Sequence, residues 1–300
     1  MRFLLIAGVS LTAAAWVAGR HAAPSMIDEH AGHEEHGVMP SSGDAMQGAA
    51  LPASNITAAD RLAQSPRHGE WATVKVGAAD SVTAWVVFPE RKDKAPVVLV
   101  IHDNRGLSKW SRAVADQLAA DGFIGIAVDL LTMKRGNSNL TSEWPVDSVR
   151  AALGTLTPEE INRSLDAVAK YGMALPAALP KYGVVGFCWG GARSFLHATW
   201  APGLGASVVY YGSPPPADRL EAIKAPILGL YGGNDARINA TIPATDSAMK
   251  RLGKSYEVHI FEGAGHGFLS GQEGQNGANL TASQQAWPKT IAFYKAKLGG

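Results

Sequence analysis

Three hundred residues, 46 % hydrophobic and 18 % charged, can bury a sizeable core and fit neither a disordered chain nor a uniformly membrane-embedded one. A formal net charge of +1 leaves no electrostatic footprint for nucleic acid, so none is expected as a partner. The single cysteine, Cys188, has no second cysteine to pair with.

In chain order, the first segment has the pattern of a targeting signal: Arg2 supplies the positive start, Phe3 to Ala18 is apolar or small, and polar Arg20 and His21 follow. A run of about sixteen residues is short for a bilayer span. The small residues Ala18, Gly19, Ala22 and Ala23 offer cleavage sites, so residues 1–23 read as an export signal, periplasmic if the source is a Gram-negative bacterium. No cysteine lies nearby to be acylated, which excludes a lipoprotein, and membrane contact is expected only through this segment if it stays uncleaved. Residues 24–66, rich in Ala, Ser, Gly and His without sustained apolar periodicity, read as a flexible His-rich linker. Within it His30, His33 and His36 beside Glu29, Glu34 and Glu35 have donor chemistry for a labile zinc or copper ion. No rigid frame fixes that geometry, so the plainer reading is a solvated linker and no metal site is assigned.

From residue 67 to 300, strand and helix patterns alternate as an α/β, mostly parallel, doubly wound sheet with helices on both faces demands. Strands are predicted at Thr73 to Val76, Val82 to Phe88, Val97 to His102, Phe123 to Asp129, Tyr182 to Phe187, Ala206 to Tyr211, Pro226 to Tyr231 and Tyr256 to Phe261. The first two read as an antiparallel start, the later ones as too apolar for exposed edges. Helices are predicted at Lys109 to Ala120, Pro158 to Tyr171, Trp189 to Thr199, Ala240 to Leu252 and Thr281 to Ala296, with Thr157-Pro158-Glu159-Glu160 as a capped helix start. Thr132 to Leu156 reads as a loop over the site.

Cys188 sits in Gly186-Phe187-Cys188-Trp189-Gly190-Gly191 directly after an apolar strand, where small flanking residues let the backbone turn sharply and hold the central side chain beside a helix N-terminus. A lone cysteine is often an inert small hydrophobe. Two further strand ends argue otherwise: Asp235 follows Ala225 to Asn234, and His266 follows Tyr256 to Gly265, giving nucleophile, acid and histidine in the chain order that an α/β-hydrolase requires. Cys188 would attack an ester or lactone carbonyl, His266 would take and return the proton, and Asp235 would fix the imidazole tautomer. One oxyanion donor should be the backbone amide of Trp189, immediately after the nucleophile.

The phrases Val100 to Leu107 (VIHDNRGL), Gly186 to Gly191, Tyr210-Tyr211-Gly212 and Gly263 to Phe268 (GAGHGF) resemble the dienelactone hydrolase (carboxymethylenebutenolidase) family of the α/β-hydrolase superfamily. The resemblance covers roughly residues 70 to 298 and implies a cofactor-free hydrolase whose second oxyanion donor is the amide of Asn104. It also implies a thiol-gating role for Asp103, where the family carries a glutamate one methylene longer. Ser270 stands where the family has a substrate-binding arginine, so a small ester, thioester or lactone is the safer substrate class. His102, Arg105, Tyr210 and Tyr211 are candidates for the substrate pocket, whereas His259, inside a strand, reads as structural. A monomer acting on a small molecule is expected. The alternative is a non-catalytic α/β-hydrolase-fold binding protein that captures metal with its His-rich tether.

Overall fold

The computed structural model describes residues 51–135 and 140–299. The predicted export signal, residues 1–23, and the His-rich part of the predicted linker lie outside the described residues.

Eight strands form one sheet: β1 (Gly69–Lys75), β2 (Ser81–Val87), β3 (Ala95–Ile101), β4 (Ile124–Asp129), β5 (Ala178–Phe187), β6 (Ala206–Tyr210), β7 (Ile227–Gly232) and β8 (Tyr256–Phe261). Their spatial order is β1-β2-β4-β3-β5-β6-β7-β8. The first two strands are antiparallel to each other and β2 is antiparallel to β4, while every pairing from β4 to β8 is parallel. A strand buried on both faces must be apolar at every position, and β3 (APVVLVI) is buried throughout. Its alternate residues divide two cores. Val97, Leu99 and Ile101 face one, while Val98 and Val100 face the other.

The helices are α1 (Ala58–Ala63), α2 (Lys109–Ala120), α3 (Val146–Leu153), α4 (Pro158–Ala174), α5 (Trp189–Trp200), α6 (Ala236–Asn239), α7 (Ile242–Arg251) and α8 (Ala278–Leu298). Val149, Leu165, Phe195 and Met249, from α3, α4, α5 and α7, close the first core; Trp110 and Leu118 of α2 and Trp287 and Tyr294 of α8 close the second. The start of α4 is a capping box: Thr157 Oγ1 accepts the Glu160 N–H at 3.2 Å and Glu160 accepts the Thr157 N–H at 2.8 Å. Among the described residues no helix is long and apolar enough to cross a membrane.

Four expectations differ from the structure. The strand β8 lies at the edge of the sheet, with Glu257 and Ile260 exposed. Tyr256 and Val258 pack against the first core, and that half-buried pattern suits an edge. The loop expected over Thr132 to Leu156 contains α3, an eight-residue helix whose Val149 and Leu153 enter the core. The helix expected from Ala240 begins at Ile242 instead, with the short α6 before it. Pro243 falls in the first turn of α7, where its missing N–H costs nothing. Finally, residues 51–65 are part of the folded domain rather than of a tether. Ala53 and Ala58 are buried, and the Trp110 indole N–H donates to the Ala53 carbonyl at 2.9 Å.

Candidate active site

The parallel strands all end on one side of the sheet, and in open α/β sheets ligands bind there. Cys188 caps α5 immediately after β5 with φ 56° and ψ −112°, a positive-φ conformation that a non-glycine residue adopts only when its surroundings impose it. The Cys188 N–H donates to the Tyr210 carbonyl at 3.1 Å, and its carbonyl accepts the Ala192 N–H at 3.2 Å. Both flanking glycines are required by close approach: a Cβ on Gly186 would lie 1.9 Å from the Gly190 oxygen, and one on Gly190 would lie 2.3 Å from the His102 oxygen. The thiol is half-buried and in no disulfide.

Asp235 follows β7 and is buried. Its Oδ1 caps α6 by accepting the Ile238 N–H at 3.4 Å, and its Oδ2 lies 2.5 Å from His266 Nδ1. Nδ1 therefore carries the hydrogen and Nε2 is left for the thiol. Hydrogen bonding with Cys188 is the largest influence on the imidazole; burial opposes it, Asp235 reinforces it, and the net effect raises the His266 pKa above its ordinary value. The His266 loop turns through Gly263 (φ 71°) and Gly267 (φ 79°). It is held by Asn279, whose side chain accepts the Gly265 N–H at 2.9 Å and donates to the Gly271 carbonyl at 2.7 Å. Asn234 ties the aspartate and histidine loops together by donating to the Gly263 carbonyl at 2.9 Å. Sequence reasoning missed both asparagines, because a loop clamp has no periodicity and only the neighbouring glycines mark the turn.

The Trp189 and Asn104 N–H groups find no acceptor among the described residues. Both residues line a groove of about 350 Å³ together with Arg150, Leu153, Gly154, Leu156 and Arg193. From the segment expected over the site, α3 and the turn that follows it border this groove. Arg193 was not anticipated. It lies one turn into α5 with its guanidinium 5.0 Å from the Trp189 ring centroid, burial pulls its pKa down, and its Nε is buried without a partner among the described residues.

The remaining candidates separate. Asp103 is buried and engaged by Arg105: its Oδ1 accepts the Arg105 backbone N–H at 2.9 Å, and both oxygens accept from the guanidinium. A gate by direct contact with the thiol is not among its hydrogen bonds, because the shorter side chain turns back onto its own loop. Burial works against the Arg105 charge, but Asp103 outweighs it, and smaller contributions from Tyr211 and Cys188 help hold that pKa up. Tyr211 is fully buried with its ring 5.1 Å from His266, and its hydroxyl has no partner among the described residues. Burial first, then the charges of Asp103 and Cys188, push its phenol well up. Tyr210 is not in the pocket: it is wholly buried and its hydroxyl meets Thr290 at 2.8 Å in the second core. His102 is also fully buried rather than lining the groove. His259 pairs with Glu257 at 2.7 Å on β8. No cluster of three or more metal-binding side chains occurs among the described residues.

The model of the dienelactone hydrolase family matches residues 82–298. A Saccharolobus solfataricus protein named "Putative carboxymethylenebutenolidase" is 28 % identical over 248 residues, covering 71 % of this chain and 93 % of its own. A Bradyrhizobium protein named "Probable 2-oxo-3-(5-oxofuran-2-ylidene)propanoate lactonase" is 28 % identical over 235 residues, covering 74 % and 92 %. Among solved structures, one named a putative dienelactone hydrolase from Klebsiella pneumoniae superposes with a TM-score of 0.65 at 23 % identity, covering 76 % of this chain and 98 % of its own. A dienelactone hydrolase-like promiscuous phosphotriesterase from metagenomic libraries gives a TM-score of 0.65 at 22 % identity, with 77 % and 98 % covered. At these identities the structural likeness speaks for the α/β-hydrolase fold.

Proposed function

The chain belongs to the dienelactone hydrolase family and is a lactone or ester hydrolase, and on that premise we propose that it works through a Cys188-His266-Asp235 triad on a small ester or lactone. The observation that carries this reading is the relay at the strand ends: Asp235 on His266 Nδ1 at 2.5 Å, with Cys188, held at a strained turn, as the largest influence raising the pKa of the same imidazole. The thiolate attacks the acyl carbonyl, and the negative charge that develops on oxygen is met by the N–H groups of Trp189 and Asn104. His266 gives its proton to the departing alkoxide, leaving a thioester on Cys188. It then takes a proton from water, whose oxygen attacks the thioester and releases the acid with the thiol restored. For a lactone the leaving alkoxide and the acid stay in one product molecule.

The reading is tested by hydrolysis of a short p-nitrophenyl ester and of a dienelactone by the wild type and by Cys188→Ala. Turnover abolished in the variant is the expected result; equal turnover in both proteins refutes the triad. Export is part of the proposal and rests on Arg2 and the apolar run from Phe3 to Ala18. Cell fractionation with N-terminal sequencing tests it, a cytoplasmic full-length chain being the outcome against it. A non-catalytic binding protein is not favoured, given the family and the matched triad chemistry.

A further inference from the structure

Two N–H groups, on segments far apart in the sequence, must converge on one oxygen if the oxyanion reading above holds, and one buried side chain touches the framework of both. His102, directly after β3, is fully buried. Its Nδ1 lies 2.8 Å from the Asp103 carbonyl oxygen, so Nδ1 carries the hydrogen and donates it. That carbonyl and the Asn104 N–H are opposite ends of a single planar trans peptide and point in opposite directions. Whatever fixes the carbonyl therefore aims the amide. The other donor to this carbonyl, the Gly106 N–H, is distant at 3.4 Å.

The same imidazole lies parallel to the Trp189 indole, with ring centroids 5.5 Å apart and planes within 9°. Beneath the stacked rings the two backbones are in contact: a Cβ on Gly190 would meet the Ile101 oxygen at 2.5 Å as well as the His102 oxygen at 2.3 Å. The remaining ring nitrogen, Nε2, is buried and finds no partner among the described residues. A buried polar atom left unpaired is costly, and an apolar side chain would fill this space without it. The imidazole is explained by what its Nδ1 holds.

We propose that His102 is the positioning residue of the oxyanion hole, orienting the Asn104 amide through the Asp103 carbonyl and registering it against Trp189 through the stacked rings. The proposal rests on the Cys188 hydrolase reading and extends it to a residue that touches neither substrate nor nucleophile.

The test compares wild type with His102→Phe, which keeps a ring on Trp189 but has no donor, and His102→Asn, whose side-chain amide offers an N–H near the Nδ1 position. With a short p-nitrophenyl ester, His102→Phe is expected to lower kcat by about ten- to a hundred-fold, with KM within about two-fold. His102→Asn is expected to recover most of that loss. Alkylation of Cys188 by iodoacetamide, which displaces iodide at an sp³ carbon and generates no oxyanion, should proceed at the wild-type rate in both variants. Unchanged kcat in His102→Phe overturns the proposal, as does an alkylation rate that falls in parallel with kcat or a His102→Asn variant as slow as His102→Phe. Loss of Cys188-dependent turnover in the wild type itself would instead remove the hydrolase reading, and this inference with it.

Discussion

At the residue scale the site is defined by a conformation and a relay. Holding Cys188 at φ 56° costs on the order of 1–3 kcal/mol, and the surrounding backbone offsets it through the bonds to Tyr210 and Ala192. Gly190 is where that arrangement is least tolerant. Gly190→Ala is expected to lose about 3 kcal/mol or more, because its Cβ would meet a backbone oxygen at 2.3 Å. Gly203→Ala, with nothing within 4 Å of the new methyl, is the control and should change stability by less than about 1 kcal/mol. Urea midpoints of the two variants check this. Asp235→Asn leaves room for the same hydrogen bond but not the same tautomer, and kcat is expected to fall by about two to four orders of magnitude. Because Cys188 and then Asp235 raise the His266 pKa, the alkaline limb of the kcat/KM profile should lie above the ordinary imidazole value, and in Asp235→Asn it should move down. By linkage, a raised imidazole pKa stabilises the fold below the unfolded value and loses that contribution as pH rises through the folded one. An alkaline limb that does not move in the variant would count against the relay.

At the element scale, the packed strand ends bring the loops together and one neighbouring segment steadies them. Residues 51–57 run beside the histidine loop: the Asn55 N–H donates to the Ser270 carbonyl at 2.8 Å, Gln272 donates to the Pro52 carbonyl at 2.9 Å, and Ser54 bonds Glu273. The Trp110 bond to Ala53 anchors the same segment to α2. A chain shortened to begin after residue 57 is expected to exchange the amides of Gly267 to Gln272 faster than one beginning at residue 51, and to lose a few-fold in kcat. Hydrogen exchange followed by mass spectrometry checks the first expectation, and unchanged protection would show that the loop is held by Asn279 and Asn234 alone. Much of this level is legible in the sequence. All eight strands and the capped start of α4 follow from apolar runs and from Thr157-Pro158-Glu159-Glu160. The helix α3 is hidden because it is only eight residues long and follows the Gly136-to-Ser142 stretch, whose composition reads as loop.

At the scale of the whole molecule, buried polar contacts between the helices and the sheet make stability depend on pH. His197 of α5 is fully buried, with Nδ1 2.8 Å from Asn162 Oδ1 on α4 and Nε2 3.2 Å from the Tyr182 hydroxyl on β5. The Asp166 carboxylate, at 4.0 Å, is too far for a hydrogen bond. Burial lowers the His197 pKa from 6.5 to about 4. The unfolded chain therefore takes up this proton first, so the contribution is intact above the unfolded value and is lost as pH falls from about 6.5 to about 4, by on the order of 3 kcal/mol. Urea unfolding between pH 7 and pH 4.5 should show the loss in wild type and a shallower slope in His197→Gln; equal slopes would remove His197 as its source. The sequence by itself determined the α/β alternation, the strand-end positions of Cys188, Asp235 and His266 and their chemical order, because apolar periodicity and glycine-rich turns are local properties of the chain. Only the tertiary structure decided that Asp103 pairs with Arg105, that Tyr210 and His102 are buried, that β8 is an edge and that Arg193 borders the groove. Those outcomes depend on which side chains meet across strands distant in sequence, where space and hydrogen-bond partners are set by packing.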